Sequence, residues 1–358
     1  MRSIYESLRE AARKPGPEES SYFVNPLTNQ IEDIRLVDFR VEEDSVRGGN
    51  SSYGQVFEAT YNDIRYAIKK IEGLAMDSTY DRPAIAFERE MTFLRKTTDW
   101  KCDNIVKFHG FIRTGTTARI ILELMDRDLS QVIISLKASG FFNRMNEGAK
   151  DLEDIGYIIL RDISNGLRYT HGYNSKKETF MHRDVKPSNI MVKCQEYRFA
   201  LIDFGTTKQI TVEANQIHST GAGQPYYEAP ECLEYKPEYN ESCDIWSLGI
   251  TMIKFITGKH PIWDEDSEES SSSEEHIVNN KICCRIMGKT FSDEKYDWPI
   301  RLTSDFLSKN FKDLINACVN RDPKRRPTAQ KIYEIAKKRS DSIDPLRVQQ
   351  LFGNFFES

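Results

Sequence analysis

Met181 to Val192 reads MHRDVKPSNIMV, a short polar loop held between apolar ends. Asp184 is followed two residues on by Lys186 and five on by Asn189, so a carboxylate, an ammonium and an amide are delivered to one place. Asp184 can orient a hydroxyl and accept its proton, Lys186 can neutralise a transferring phosphoryl group, and Asn189 can ligate a metal. Nineteen residues beyond Asp184 comes LIDFG, whose Asp203 supplies a carboxylate able to bind Mg²⁺ that bridges phosphates.

Working back toward the N-terminus, Tyr66 to Lys69 (YAIK) falls in a predicted strand and Glu90 on a predicted helix near Arg82–Thr97, where Ile85, Phe87, Met91 and Leu94 form an apolar stripe. A lysine in that position can reach phosphates if an acid holds it, and Glu90 is the partner the spacing offers. Further back, Arg47 to Ala59 reads RGGNSSYGQVFEA. As a phosphate-cradling loop of the form GxGxxGxV it sets Gly49, Ser51, Gly54 and Val56 at the four fixed positions, with Asn50, Ser52 and Tyr53 between them. Taken alone, the same stretch reads equally well as a hairpin turn.

The motifs occur in one order: GNSSYGQV, YAIK, Glu90, HRDVKPSN, DFG, APE at 229–231, DIWSLG at 244–249 and RDPKRRPT at 321–328. Jointly they resemble the eukaryotic protein kinase family over about Val37–Lys338. The resemblance implies an α+β bilobal fold, with a small mostly β N-lobe carrying one regulatory helix and a larger helical C-lobe. It also implies ATP and Mg²⁺ as cofactors and phosphoryl transfer to protein hydroxyls. Residue by residue, it makes Asp184 the catalytic base, Lys186 and Lys69 the cations that handle charge, Glu90 the partner of Lys69, and Asn189 and Asp203 the metal ligands. Gly49 to Gly54 and Val56 would cover the nucleotide, Ala67 would roof the adenine, and backbone groups of Glu123 and Met125 would hold its edge behind Leu122. Phe204, His182, Leu94 and Phe108 would stack as an apolar spine, and Glu231 would pair with Arg326.

Lys186 resembles the serine/threonine kinases, and weaker echoes of MAP kinase kinases and MAP kinase kinase kinases leave dual specificity open. Arg183 would receive a phosphate on the activation segment, placed at Thr220 or Ser219 by an upstream kinase. Three positions depart from the family pattern: Ser51 for the middle glycine, Gln224 where threonine is usual, and a compressed linker ELMDRDL. They keep a pseudokinase scaffold as the alternative, against which the full set of Lys69, Glu90, Asp184, Asn189 and Asp203 argues.

Composition bounds these readings. With 358 residues, 39% hydrophobic and 29% charged, the chain suits one bilobal or two small soluble domains. Its net charge of -5 comes from Asp264–Glu275 (DEDSEESSSSEE); without the seven acidic residues there the body carries +2, so no basic field marks nucleic acid or an anionic membrane as a partner. Seven scattered cysteines lack CxxC spacing, which fits a reducing compartment. The early charges at the N-terminus and the lack of a long apolar run make a cytoplasmic, or also nuclear, protein the expectation. Residues 1–35 read as an extension with a short helix at Ile4–Arg13, and residues 36–338 as the kinase domain, with a solvated acidic insert at 264–276. Within the domain the strand-rich N-lobe takes 36–124 and the helix-rich C-lobe 125–338, with a cleft between them, and 339–358 read as a tail.

Overall fold

The computed structural model describes residues 19–28, 30–32, 34–42, 54–74, 82–173, 178–210, 225–234, 240–261, 286 and 301–356. The helix expected at Ile4–Arg13, the loop positions Gly49, Asn50, Ser51, Ser52 and Tyr53, the activation-segment residues Ser219, Thr220 and Gln224, and the acidic insert lie outside them. The chain divides into two compact units, residues 1–125 with 203–207, and residues 126–202 with 208–358. The DFG segment thus clusters with the first unit, although its place in the sequence assigns it to the C-lobe.

The first unit is built on a seven-stranded antiparallel sheet of order β2-β1-β6-β7-β5-β4-β3. Its strands are β1 (Glu19–Val24), β2 (Ile31–Glu32), β3 (Arg40–Glu42), β4 (Gln55–Tyr61), β5 (Ile64–Ile71), β6 (Phe108–Thr114) and β7 (Thr117–Glu123). Strands β4 and β5 are joined by Asn62-Asp63, both at left-handed φ (49° and 60°), the geometry a two-residue hairpin turn requires and Asn and Asp tolerate. Before β3 the chain makes a single 3-10 turn at Leu36–Asp38. Helix α1 (Arg82–Thr97) buries Ala86, Phe87, Glu90, Met91, Phe93 and Leu94; a carboxylate therefore sits on its apolar stripe.

Strand β1 corrects the sequence reading. Residues 19–24 and 31–32, assigned there to an extension, form two strands of the sheet, with Phe23 paired to Gly110 of β6 and fully buried. The Phe23 ring meets Phe39, Tyr61 and Tyr66 edge-on at 5.5–6.0 Å, and a core of Ile34, Ala59, Ile68, Ile112 and Ile121 surrounds it. Gly110 makes that docking possible, because a Cβ there would lie 2.0 Å from the Tyr22 carbonyl oxygen. The strand was hidden because Tyr22 and Phe23 are both buried, so no alternation of polar and apolar residues marks it.

The second unit is helical, with two small sheets, one of β8 (Arg127–Asp128), β10 (Ile190–Lys193) and β11 (Arg198–Leu201), the other of β9 (Thr179–Met181) and β12 (Lys208–Ile210). Its helices are α2 (Leu129–Ala138), α3 (Met145–Thr170), α4 (Ser242–Thr257), α5 (Lys309–Cys318), α6 (Ala329–Ser340) and α7 (Pro345–Phe356). Local chemistry sets their starts: Asp128 and Gln131 exchange side-chain and backbone hydrogen bonds at α2, and Ser308 and Thr328 cap α5 and α6. Helix α4 is buried almost throughout and stops at Gly258, which takes the left-handed φ of +69°. Residues 339–358 do not form a bare tail: α7 buries Leu351, Phe352, Phe355 and Phe356, with Phe352 and Phe356 against the ring of Phe199 at 5.5 and 5.3 Å. Among the described residues no helix is long and apolar enough to cross a membrane.

Two measurements test this packing. Phe23→Ala is expected to lower the free energy of unfolding by about 3–5 kcal/mol in urea titration, as for a core phenylalanine; an unchanged midpoint would return residues 19–24 to an extension. His260 meets the rings of Tyr226 and Tyr227 edge-on, and burial, then the Lys254 charge, pull its pKa down to about 3. Below pH 6.5 the unfolded chain takes up a proton that the folded chain refuses until about pH 3, so stability falls with pH across that window. His260→Phe is expected to remove about 1.4 kcal/mol per pH unit of that fall.

Candidate active site

In the first unit, the register of the sheet puts Val56 opposite Lys69, Lys69 opposite Ile120, and Ala67 opposite Leu122. Val56, Lys69, Ala67 and Leu122 therefore share one sheet face, because side chains alternate with a period of two. Gly54 lies where β4 begins, and a Cβ there would come 2.3 Å from the Lys70 carbonyl, so only glycine allows that approach. The Glu123 N–H donates to the Lys107 carbonyl at 2.9 Å, and Met125 is buried at the end of the unit.

Lys69 is the electrostatic centre of this unit. Its Nζ donates to Glu90 Oε1 and Oε2 at 3.0 and 2.8 Å and to Asp203 Oδ1 at 2.8 Å. Burial works against the ammonium, but Asp203 and then Glu90 more than offset it and hold the Lys69 pKa above the ordinary lysine range. Burial pushes the Glu90 carboxyl upward, with the Lys69 charge opposing. Asp203 takes a left-handed φ of 60°, a conformation that costs energy outside glycine and that the surrounding contacts must maintain. The ring of the next residue, Phe204, stacks on Phe93 with centroids 4.3 Å apart. Leu94 and Phe108, which the sequence names as spine residues, are both buried, but Phe93 is the ring beside Phe204 and the sequence reading passed over it.

In the second unit, the loop from His182 to Asn189 brings Asp184, Lys186 and Asn189 together. Asp184 Oδ2 accepts from Lys186 Nζ at 2.8 Å and from Asn189 Nδ2 at 2.9 Å, and the same amide reaches the Asp184 carbonyl at 2.8 Å. All three side chains are buried, and Arg183 takes a left-handed φ of 65°.

Asp244, the first residue of DIWSLG, holds that loop from α4. Its Oδ2 accepts the His182 N–H at 2.9 Å, its Oδ1 accepts the Arg183 N–H at 2.8 Å, and His171 Nε2 lies 2.9 Å from Oδ2. Burial alone would raise this carboxyl, yet the hydrogen bond and charge of His171 and the Arg183 N–H bring its pKa below the usual range. His182 Nε2 meets the Ile202 carbonyl at 3.0 Å, tying the loop to the strand before Asp203. The sequence reading quoted DIWSLG without giving Asp244 a role and did not single out His171. The signal was the lone acid heading an otherwise apolar helix. The Glu231–Arg326 pair is bidentate at 2.6 and 2.7 Å, as the resemblance implies.

Set beside known proteins, residues 44–336 match the protein kinase domain family, and the chain belongs to it. Its fold is the α+β fold of that family, whose members use ATP with a divalent metal. The chain is 28% identical over 290 residues to the serine/threonine-protein kinase sid1 of Schizosaccharomyces pombe, covering 80% of this chain and 51% of that protein. It is 26% identical over 316 residues to the dual specificity mitogen-activated protein kinase kinase mek-1 of Caenorhabditis elegans, covering 88% and 77%. It is also 27% identical over 289 residues to mitogen-activated protein kinase kinase kinase 3 of Arabidopsis thaliana, covering 80% and 40%. The chain thus spans about half the length of sid1 and less of the Arabidopsis protein.

The anchoring by Asp244 is testable apart from catalysis. Asp244→Ala leaves two buried backbone N–H groups and the His171 ring without their acceptor, and is expected to destabilise the chain by about 2–5 kcal/mol in urea unfolding. A loss below about 0.5 kcal/mol would mean that the loop is held by other contacts.

Proposed function

We propose that the chain transfers the γ-phosphoryl group of Mg-ATP to serine or threonine hydroxyls of proteins. The observation that carries this reading is the Lys69 ammonium held at 2.8–3.0 Å by two carboxylates that lie 113 residues apart in sequence, Glu90 and Asp203. Such a cation, fixed in direction and kept charged, is suited to neutralise phosphate oxygens without reorganising when the reaction occurs.

The residues fit a divalent cation as well. Glu90 and Asp203 bring two negative charges against one ammonium, and the Asp203 side chain is the most exposed of the three, at 13% against 5% for Lys69 and 2% for Glu90. An excess carboxylate with the greatest access suits a hard oxygen-seeking ion such as Mg²⁺. Asp203 would hold it in this unit, the family resemblance assigns Asn189 as a further ligand, and the ion would supply charge neutralisation at the phosphates. Asp184, with Lys186 and Asn189 fixing its carboxylate, orients the substrate hydroxyl and accepts its proton. Lys186 stands beside that carboxylate, so negative charge developing there meets a positive group at once. Val56, Ala67 and Leu122 give the sheet face an apolar surface for adenine, with backbone groups of Glu123 and Met125 at its edge; the family motif assigns the phosphates to the sequence Gly49–Gly54.

Control by phosphorylation belongs to the same reading, with Arg183 receiving a phosphate placed on Thr220 or Ser219 by an upstream kinase. The name of mek-1 supports a place among signalling kinases and keeps tyrosine acceptors open.

Phosphate transfer from labelled ATP to a generic basic protein is expected for the wild-type chain in Mg²⁺. Asp184→Asn is expected to lower the rate by about 100- to 10,000-fold with little change in fold, the range that loss of a general base produces. Equal rates from the two proteins, both after activation-segment phosphorylation, would assign the chain to the scaffold class.

A further inference from the structure

We propose that Cys232 and Cys243 are a modification site that forms an intramolecular disulfide when hydrogen peroxide reaches the protein. They are separated by ten residues and come together through Arg326. Its Nη1 donates both to Glu231 Oε1 at 2.6 Å and to the Ser242 carbonyl at 3.0 Å, so one nitrogen clamps the residues immediately before the two cysteines. The Cys243 thiol lies within hydrogen-bonding reach of the Cys232 thiol. Both are free thiols, and their accessibility differs: Cys232, in the turn at Pro230–Leu233, is half-exposed, whereas Cys243, in the first turn of α4, is buried. That is the arrangement of a more accessible thiol that meets oxidant first and a buried second thiol that can resolve the product.

The other described cysteines lack this arrangement. Cys102 and Cys194 are buried, and Cys318 is fully buried with its thiol on the Leu314 carbonyl. The Cys243 thiol is pushed well up, first by its hydrogen bond with Cys232, then by burial and by Asp244.

The chemistry balances with the peroxide as oxidant. The Cys232 sulfur takes one peroxide oxygen as the O–O bond breaks, giving a sulfenic acid and water. The Cys243 sulfur then displaces that oxygen as a second water while the S–S bond forms. Two electrons pass from the thiols to the peroxide, and both thiol protons leave in the waters. The new bond ties the turn after APE to the helix that carries Asp244, closing a short loop and restricting the unfolded chain.

The test is a peptide map of the full-length chain treated with hydrogen peroxide, quenched with iodoacetamide and digested without reductant. A Cys232–Cys243 cross-linked peptide, a loss of two hydrogens from the intact mass and a rise in Tm reversed by dithiothreitol are expected. Cys232→Ser and Cys243→Ser should each abolish the cross-link, and a Cys283→Ser/Cys284→Ser protein should keep it. Oxygen added to Cys232 with no cross-link, or a cross-link through other cysteines, would overturn the proposal. If Cys243→Ser fails to fold, Cys243→Ala and the wild-type map decide. Because the readout is covalent, it is independent of whether the chain transfers phosphate.

Discussion

The Lys69 ammonium, buried between Glu90 and Asp203, is the interaction around which the first unit is organised. A buried charge costs several kcal/mol to desolvate and is tolerated only when paired and hydrogen-bonded with good geometry. Lys69 meets that condition through contacts to both Glu90 oxygens and to Asp203. Each partner comes from a different element: Lys69 from β5, Glu90 from the apolar stripe of α1, Asp203 from the segment after β11. A one-residue slip of β5 would turn Lys69 to the opposite face, so the hairpin at Asn62-Asp63 and the strand pairings on both sides of β5 also protect the ion cluster.

The second unit solves a different problem. Its polar loop must hold Asp184, Lys186 and Asn189 in a buried place, and the apolar helix α4 supplies the fixed point. Asp244 receives consecutive backbone N–H groups of His182 and Arg183, which defines the path of the loop just before Asp184. The same helix begins beside the Glu231–Arg326 pair, through the Ser242 carbonyl. One rigid element thus anchors both the loop that presents the carboxylate and the turn that follows APE, and Cys243 sits on it between the two anchors.

Much of this was legible from sequence, and the reason is physical. Lys69, Glu90, Asp184, Lys186, Asn189 and Asp203 are charged or amide residues embedded in apolar runs, where burial demands partners. Those partners are what the structure provides within each unit. Residues whose work is done through backbone or packing were harder to see. Asp244 accepts main-chain hydrogen bonds that leave no trace in its neighbours' identities, and Phe93 looks like any core residue of α1. Strand β1 and helix α7 lay beyond the outermost motifs, so nothing tied them to the core until the burial of Phe23 and Phe352 did so.

The most direct test of the central claim is the affinity for Mg-ATP, measured by isothermal titration calorimetry on the wild-type chain, Lys69→Met and Glu90→Gln. If the buried ammonium is the phosphate-facing charge and Glu90 holds it in place, both substitutions weaken binding by about ten- to a hundredfold, the value of one charge-assisted hydrogen bond. Wild-type affinity in Lys69→Met, in a protein shown to be folded, would contradict it.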